Sequence, residues 1–485
     1  MREQMVIERM LLGGRWVERQ EYLQVMDPGS NTCIATVPKA TKKDVKRAIE
    51  LAKKGAGISK NLPVYKRQSI LMGAAEYINE HQDQFVRTIV LESSKTVKEA
   101  EKEVRRCIET IRLSAEEARR LNGETIPFSQ MKGHESRIGY ITHQPVGIVA
   151  AITPFNDPLN LVAHKVGPAI ACGNAVILKP SSETPLSALR LAEAFLAAGL
   201  PDGILSVLTG SGKEIGDELV SNEDVRFVSF TGGYETGVGI TQKAGVKKMA
   251  MELGSNAPTI VLQDADLKEA VEACVDGAFG VAGQNCIGVQ RVYVENMVYE
   301  RFTSQFVEKT KQLKVGEKKD PATDIGPMIS EKEARRVEAW IKEAVTNGAN
   351  LLCGGKRYGA YVTPAVLVNV GKEEKIIQEE VFGPVVSILP VSSLEEAVNL
   401  ANDSCYGLQA GLFTSNIDAA FYAIEELEVG GVIINDSSDV RIDGMPFGGV
   451  KRSGLGREGI KYAMEAMTEE KVVAFRVNNS MKKTD

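Results

Sequence analysis

The sequence predicts an α/β protein built on wound parallel sheets, and three observations carry that expectation. From Val146 onward, short apolar, β-branched runs alternate with helical stretches, the pattern of parallel strands covered by helices on both faces. A break near Gly254 separates this series from a second one that begins at Pro258 and runs to about 455. The chain has 485 residues, beyond the roughly 250–300 at which one hydrophobic core stops growing, so two or more domains are expected.

Residues 1–35 are mixed, with Asp27-Pro28-Gly29-Ser30 as a turn. Thr41 is placed to cap a helix over 42–54, and Pro63 breaks the pattern after it. Two long helical patterns then run from about 65 to 120, with Ile70, Leu71, Ala74, Ala75 and Ile78 on one apolar face. Within them, 95–106 is highly charged and reads as a solvent-facing helix. Residues 137–143 alternate as a half-exposed strand does. Buried strands are expected over 146–152, 174–178, 205–208, 225–230 and 248–252, with helices over 184–199, 212–220 and 235–244 between them. In the second series, strands are expected near 259–262, 290–295 and 386–390, and 267–282 reads as an amphipathic helix. The last candidate strand, 471–477, alternates and lies apart from both series, so it is expected to pair elsewhere.

Composition narrows the class. A net charge of -6 is mild for this length and argues against the basic stripe of a nucleic-acid binder. The seven cysteines are scattered, odd in number and lack metal-site spacing, so neither a disulfide framework nor a metal ion is expected. Acidic residues interrupt the N-terminal stretch, so a secretory signal is not expected there, and no apolar run reaches the roughly 20 residues of a membrane span. These features point to a cytoplasmic, enzyme-sized protein with no membrane or nucleic-acid partner.

One loop stands out: Gly283-Gln284-Asn285-Cys286-Ile287-Gly288 puts a thiol between a helical pattern and a strand, flanked by glycines and amides. Such a thiol is placed to meet a ligand; alternatively it is a small, inert core residue. Two glycine turns, Gly210-Ser211-Gly212 and Phe230-Thr231-Gly232-Gly233-Tyr234-Glu235-Thr236-Gly237, come after strands and open helices, where free N–H groups can receive a pyrophosphate. Neither has the usual G-x-G-x-x-G spacing, and tight strand-to-helix turns would read the same. Lys179-Pro180-Ser181-Ser182 also comes directly after a strand, where a lysine can reach ribose hydroxyls or phosphate.

Seven motifs occur in order: Pro154-Phe155-Asn156, Lys179-Pro180, Phe230-Thr231-Gly232, Glu252-Leu253-Gly254, Gly283-Gln284-Asn285-Cys286, Glu379-Glu380-Val381-Phe382-Gly383-Pro384 and Pro446-Phe447-Gly448-Gly449. Together they resemble the aldehyde dehydrogenase superfamily over nearly the whole chain. The resemblance implies a cofactor-binding domain (1–123 and 146–254), a catalytic domain (255–465) and a small β oligomerisation arm (124–145 and 466–485), assembled as a homodimer or homotetramer. It implies Cys286 as nucleophile, the Asn156 amide and the Cys286 N–H as oxyanion donors, and Glu252 as general base. NAD or NADP would be the cofactor. Glu380 and Phe382 resemble the residues that hold the nicotinamide ribose and ring, and Lys179 resembles the lysine at the adenine ribose. Thr153, Pro154, Phe155, Gly212, Phe230, Thr231, Gly232, Gly237 and Leu253 complete the implied cofactor set.

The sequence departs from the NAD-type pattern at Ser182, where a glutamate usually stands; Glu183 is displaced by one. A carboxylate binds a free 2′-hydroxyl and repels a 2′-phosphate, so the serine implies at least tolerance of NADP. Gly233 replaces a frequent serine and removes one possible phosphate hydrogen bond. The stretch from Asp439 to Gly449 is most similar to enzymes of lactaldehyde, phosphonoacetaldehyde and related small aldehydes. Arg441 and Arg106 would then face a substrate with an anionic end; alternatively both sit in surface ion pairs. Asn285 departs from the arginine of phosphoglyceraldehyde enzymes, and Asp157 from a histidine of phosphonoacetaldehyde-type enzymes. Sulfolactaldehyde, lactaldehyde and succinate semialdehyde remain open. Two rivals are a CoA-acylating dehydrogenase, against which Glu252 argues, and a non-catalytic binding or structural protein on the same fold.

Overall fold

Five parallel strands form the centre of an eight-stranded sheet in the computed structural model, which describes residues 6–477. In spatial order these are Lys248–Glu252, Val225–Thr231, Ile148–Ile152, Ala175–Lys179 and Leu205–Val207. Antiparallel strands close both edges: Gly454–Leu455 on one side, Met10–Leu12 and Arg15–Val17 on the other. The parallel series starts at Ile148–Ile152, winds outward through two strands, then returns to lay Val225–Thr231 on the opposite flank. The strand order therefore reverses between Ile148–Ile152 and Val225–Thr231, and the carboxyl ends of those two strands open the crevice where wound sheets bind ligands. Separate apolar clusters cover the two faces, one around Val149, Val176 and Phe227, the other around Ala150, Ile177 and Val228. That two-sided burial is why these strands read as continuous apolar runs.

The chain leaves Glu252 and enters Ala257–Val261, an inner strand of a second, seven-stranded sheet. Its order is Asn350–Cys353, Ala365–Val368, Val385–Val391, Val289–Glu295, Ala257–Val261, Gln409–Phe413 and Gly431–Ile434, parallel except at Asn350–Cys353. Thr468–Arg476 pairs along its whole length with Arg137–Pro145, from Thr468↔Pro145 to Arg476↔Arg137, and Thr125–Ile126 adds a third strand. On this ribbon Ile138, Tyr140, Val472 and Phe475 are exposed. Residues 478–485 of the expected arm lie outside the described residues. No helix among the described residues is long and apolar enough to cross a membrane.

Several expectations are corrected. The mixed N-terminal region holds five strands: Val6–Ile7, Met10–Leu12, Arg15–Val17, Tyr22–Asp27 and Thr32–Pro38. They are short and their pairing partners include the distant Leu205–Val207, so local alternation carries little signal. The two long helical patterns are three helices, Val64–Glu80, Gln82–Glu92 and Val97–Glu117. The helix from Leu267 stops at Phe279 rather than 282. The charges of 95–106 are not all solvated: Lys95 and Glu103 are buried and Arg106 is half-buried. Thr41, by contrast, caps Lys42–Asn61 through a reciprocal pairing with Asp44.

Candidate active site

Cys286 lies where two cavities meet. Asn156, Leu161, Gln284, Cys286, Arg441 and Phe447 line both. The first, of about 330 Å³, is walled by residues just beyond the sheet's switch point: Pro154 and Phe155 after one strand, Thr231 and Gly232 at the end of the other. Glu252, Leu253 and Gly254, at the end of the neighbouring strand, form its side. Glu380 and Phe382 enter from the second sheet, ahead of Val385–Val391. Phe155 and Phe382 meet edge to face, 5.8 Å between centroids. The Ser255 N–H donates to Glu380 at 2.9 Å, and a side chain at Gly254 would collide with that carboxylate. Burial pushes Glu380 up to about 7.

A separate groove of about 590 Å³ runs over the N-termini of Gly212–Ser221 and Tyr234–Ala244, lined by Lys179, Ser211, Gly212 and Lys213. Lys179 is buried, its ammonium donates to the Pro180 carbonyl at 2.8 Å, and burial lowers it to about 8. Ser182 lies beside this groove, donating to the Gly210 carbonyl at 3.0 Å. Phe230, Gly237 and Thr153 stand behind the walls. The Phe230 ring packs beneath Gly232, Leu253 packs against Gly237, and Thr153 is buried next to Pro154. The buried hydroxyls of Thr153 and Thr231 have no partner among the described residues. Free helix N-termini, unspent hydroxyls and a crevice at the switch point are what a dinucleotide requires, so these residues fit one.

The loop that carries Cys286 has an unusual backbone. Val281, Ala282 and Gly283 are all left-handed, with φ of 52°, 54° and 69°. For a non-glycine residue that conformation costs on the order of 1–3 kcal/mol, most for a β-branched one. Gly283 is obligatory, because a Cβ there would lie 2.1 Å from the Gly383 carbonyl oxygen. Gln284 is fully buried, donates to the Val281 carbonyl at 2.9 Å and accepts from the Ile329 N–H at 2.8 Å. Asn285 donates to Asp439, and Ser438 donates to the Ile287 carbonyl at 2.8 Å, so the 438–439 loop buttresses the thiol.

Burial pushes the Cys286 thiol up, partly offset by the nearby Arg441 guanidinium. Glu252 is 3% exposed and both its carboxylate oxygens are without a partner among the described residues. Burial and the neighbouring Glu458 raise it well above the usual carboxylate range, against Arg441, Lys165 and Arg457. Glu458 itself is ion-paired to Lys165 at 2.6 Å and Arg441 at 3.2 Å. Burial opposes its ionisation, but these two cations hold it down at about 2. Arg441 also lies over the Phe447 ring, 3.8 Å from the centroid, and its Nε has no partner among the described residues.

The second cavity, of about 220 Å³, brings Asn285 and Arg106 to the same thiol, with Asp439 opposite. All three guanidinium nitrogens of Arg106 are engaged: Nε and Nη2 donate to Asp443, Nη1 to Asp157. Asp157 also pairs with Lys95, which reaches Glu103 at 2.7 Å. Glu103 accepts from the Leu159 and Asn160 N–H groups at 2.7 and 3.0 Å, closing the start of the helix Asn160–Ala171. Asp443 accepts from His164 at 2.8 Å. This network forms part of the wall of the second cavity, with Asp157 next to Asn156 in the chain and Asp443 two residues beyond Arg441, and a sequence reading misses it. The one available signal is a polar stripe at helical spacing, Glu99, Glu103, Arg106 and Thr110, beside the apolar stripe Ala100, Val104, Cys107 and Ile111.

Comparison with known proteins agrees with this geometry. The model of the aldehyde dehydrogenase family matches residues 16–473. A 3-sulfolactaldehyde dehydrogenase of Priestia aryabhattai is 46% identical, over 96% of this chain and 98% of its own. Aldehyde dehydrogenase 21 of Physcomitrella patens, solved with its reaction product succinate, superposes with a TM-score of 0.96 at 40% identity, covering 98% of this chain and all of that one. The glyceraldehyde-3-phosphate dehydrogenase GapN of Methanocaldococcus jannaschii, solved with NADP, gives a TM-score of 0.92 at 42% identity, covering 95% of this chain and all of that one. With a match across nearly its whole length and a thiol at the meeting point of two cavities, the chain belongs to the aldehyde dehydrogenase family.

Proposed function

We propose that this chain oxidises a small hydroxylated or anionic aldehyde to its carboxylic acid with NAD or NADP, through a covalent bond to Cys286. The observation that carries this reading is the position of Cys286 between a cavity walled by the switch-point residues and one ringed by charged side chains. A carbonyl entering from the charged side meets the thiol opposite the place where a cofactor ring would be held by Glu380 and Phe382.

Glu252 serves as the base. The Cys286 thiol gives its proton to solvent as its sulfur adds to the aldehyde carbon, and the developing oxyanion receives the Asn156 amide and the Cys286 N–H. A bound nicotinamide supplies the acceptor for the hydride that leaves this carbon. Collapse gives a thioester on Cys286. Glu252 then takes a proton from water, the hydroxide displaces sulfur, and the acid departs. A carboxylate raised by burial is suited to this work because it binds a proton more readily than an exposed one.

Arg441 supports an anionic substrate end: it lines both cavities and gives one guanidinium nitrogen, Nη2, to Glu458. Relatives named for 3-sulfolactaldehyde and lactaldehyde, and the neighbour solved with succinate, make this substrate class the one to test first. Ser182 in place of a carboxylate supports acceptance of NADP as well as NAD. The exposed Ile138, Tyr140, Val472 and Phe475 support assembly of the arm in a homodimer or homotetramer. The test is a panel of anionic and neutral small aldehydes with both cofactors, for wild type and Cys286→Ala. The variant is expected to lose turnover on every aldehyde; undiminished turnover sinks the mechanism, and a preference for neutral long-chain aldehydes sinks the substrate class.

A further inference from the structure

We infer that Glu99 is a positioning residue for the nucleophile loop, holding Val281 in the left-handed turn that presents Cys286. The inference rests on the reading of Cys286 as the nucleophile. Glu99 occupies the third position of the helix Val97–Glu117, and one of its carboxylate oxygens closes the N-terminal cap, accepting from the Thr96 N–H at 2.8 Å and the Thr96 hydroxyl at 3.1 Å. Its other oxygen leaves the helix and accepts the Val281 N–H at 2.6 Å. One carboxylate thus ties a helix packed on Asn160–Ala171, in the layer outside the first sheet, to the turn that precedes the thiol of the second.

The turn needs such a tie because its own sequence prefers something else. The helical pattern from Leu267 continues through Ala282, yet the helix ends at Phe279 and the chain turns left-handed at Val281. A β-branched valine is among the residues least suited to that region. If residues 280–282 relaxed into the helix they extend, each added residue would turn the chain by about 100° and carry Asn285 and Cys286 away from the two cavities. The Val281 carbonyl is held from within the loop by Gln284, and Gly283 is packed on Gly383. Among the described residues, the side chain gripping the Val281 N–H is Glu99.

Glu99→Ala, Val281→Gly and the double variant test this. Removing the acceptor is expected to lower kcat by about tenfold to a hundredfold, with little change in KM, because a part-buried N–H loses its partner and the turn loses its tie. Hydrogen exchange in the peptide spanning 279–285 is expected to rise while exchange elsewhere does not. A glycine at 281 adopts the left-handed region without penalty and weakens helix extension, so the double variant is expected to recover to within about threefold of Val281→Gly alone. A double variant as slow as Glu99→Ala, or a Glu99→Ala enzyme with wild-type turnover and exchange, overturns the inference. Should Glu99→Ala not accumulate folded, Glu99→Gln, with one acceptor oxygen left for both sites, gives the same comparison. Should the wild type oxidise no aldehyde, the functional reading fails and the exchange measurement still decides the role of Glu99.

Discussion

Replacing Glu252 with glutamine separates the two halves of the proposed reaction. The carboxylate ends the strand Lys248–Glu252, is 3% exposed, and has no partner for either oxygen among the described residues. Glutamine fills the same space and cannot take a proton. General bases contribute roughly 10²–10⁴ in rate, or about 3–5 kcal/mol of barrier. Rapid mixing of enzyme, aldehyde and cofactor, monitored by reduced-cofactor absorbance, is expected to show a burst approaching one equivalent per site, then a steady state slower by that factor. An unchanged steady state would falsify the assignment of Glu252 as base; burst and steady state slowed together would move its role from water to the thiol. The pH dependence has a definite sign. Folded Glu252 binds its proton more tightly than the unfolded chain does, so its stabilising contribution is complete below the ordinary value of 4.5 and is lost as pH rises through the raised folded value. The glutamine variant lacks that loss, and its thermal midpoint relative to wild type is expected to climb as the pH is raised from 4.5.

Four further outcomes are expected. Ser182→Glu puts a carboxylate beside the Lys179 groove and is expected to raise KM for NADP about tenfold or more while sparing NAD; equal effects on both would remove Ser182 from cofactor choice. Arg441→Met is expected to raise KM for anionic aldehydes by about 10- to 150-fold, the value of a charged hydrogen bond, and to leave neutral ones much less affected. Arg106→Met strips Asp157 and Asp443 of a shared cation and is expected to act mainly on stability, by about 3–5 kcal/mol in chemical denaturation; a selective loss of anionic substrates would reverse the roles given to the two arginines. Phe475→Glu places a charge on the exposed face of the Thr468–Arg476 strand and is expected to shift the mass in light scattering to a smaller species, whereas an unchanged mass would free that face from assembly.

Most of the wound core is legible because its strands are buried on both faces. Ala175–Lys179 and Ile148–Ile152 announce themselves as apolar runs without reference to anything distant. The same holds for Thr41, whose cap is completed three residues on by Asp44. Cys286, Asn156, Glu252 and Glu380 can be singled out only by the order of their motifs, since nothing in a local window brings them together. The structure gathers them at one cavity because each lies beside a strand at the same end of its sheet. The short N-terminal strands are illegible for the opposite reason: Met10–Leu12 is a strand because Leu205–Val207 offers it a free edge.

The charged helix is the more instructive failure. Polarity along Val97–Glu117 reads as contact with water, a fair rule when a charge has no partner and a wrong one when counter-charges are supplied from elsewhere. Glu103 meets backbone N–H groups more than fifty residues away, and Arg106 meets Asp443 across more than three hundred. Burial alone would drive each of these groups toward its neutral form; the counter-charges keep Asp443 well below the usual carboxylate range despite that burial. Removing one member therefore exposes the others to the full desolvation penalty, which is why the network can lock the Asn156 and Arg441 segments in place. It also decides between the two arginines. Arg106 is committed on every nitrogen to carboxylates of the protein, while Arg441 gives Nη2 to a Glu458 that it shares with Lys165, and it lines both cavities. An anionic substrate end would have to break existing ion pairs to reach Arg106, but could join Arg441 without displacing its partner. On that comparison the proposed specificity lies at 441, with 106 holding it in place.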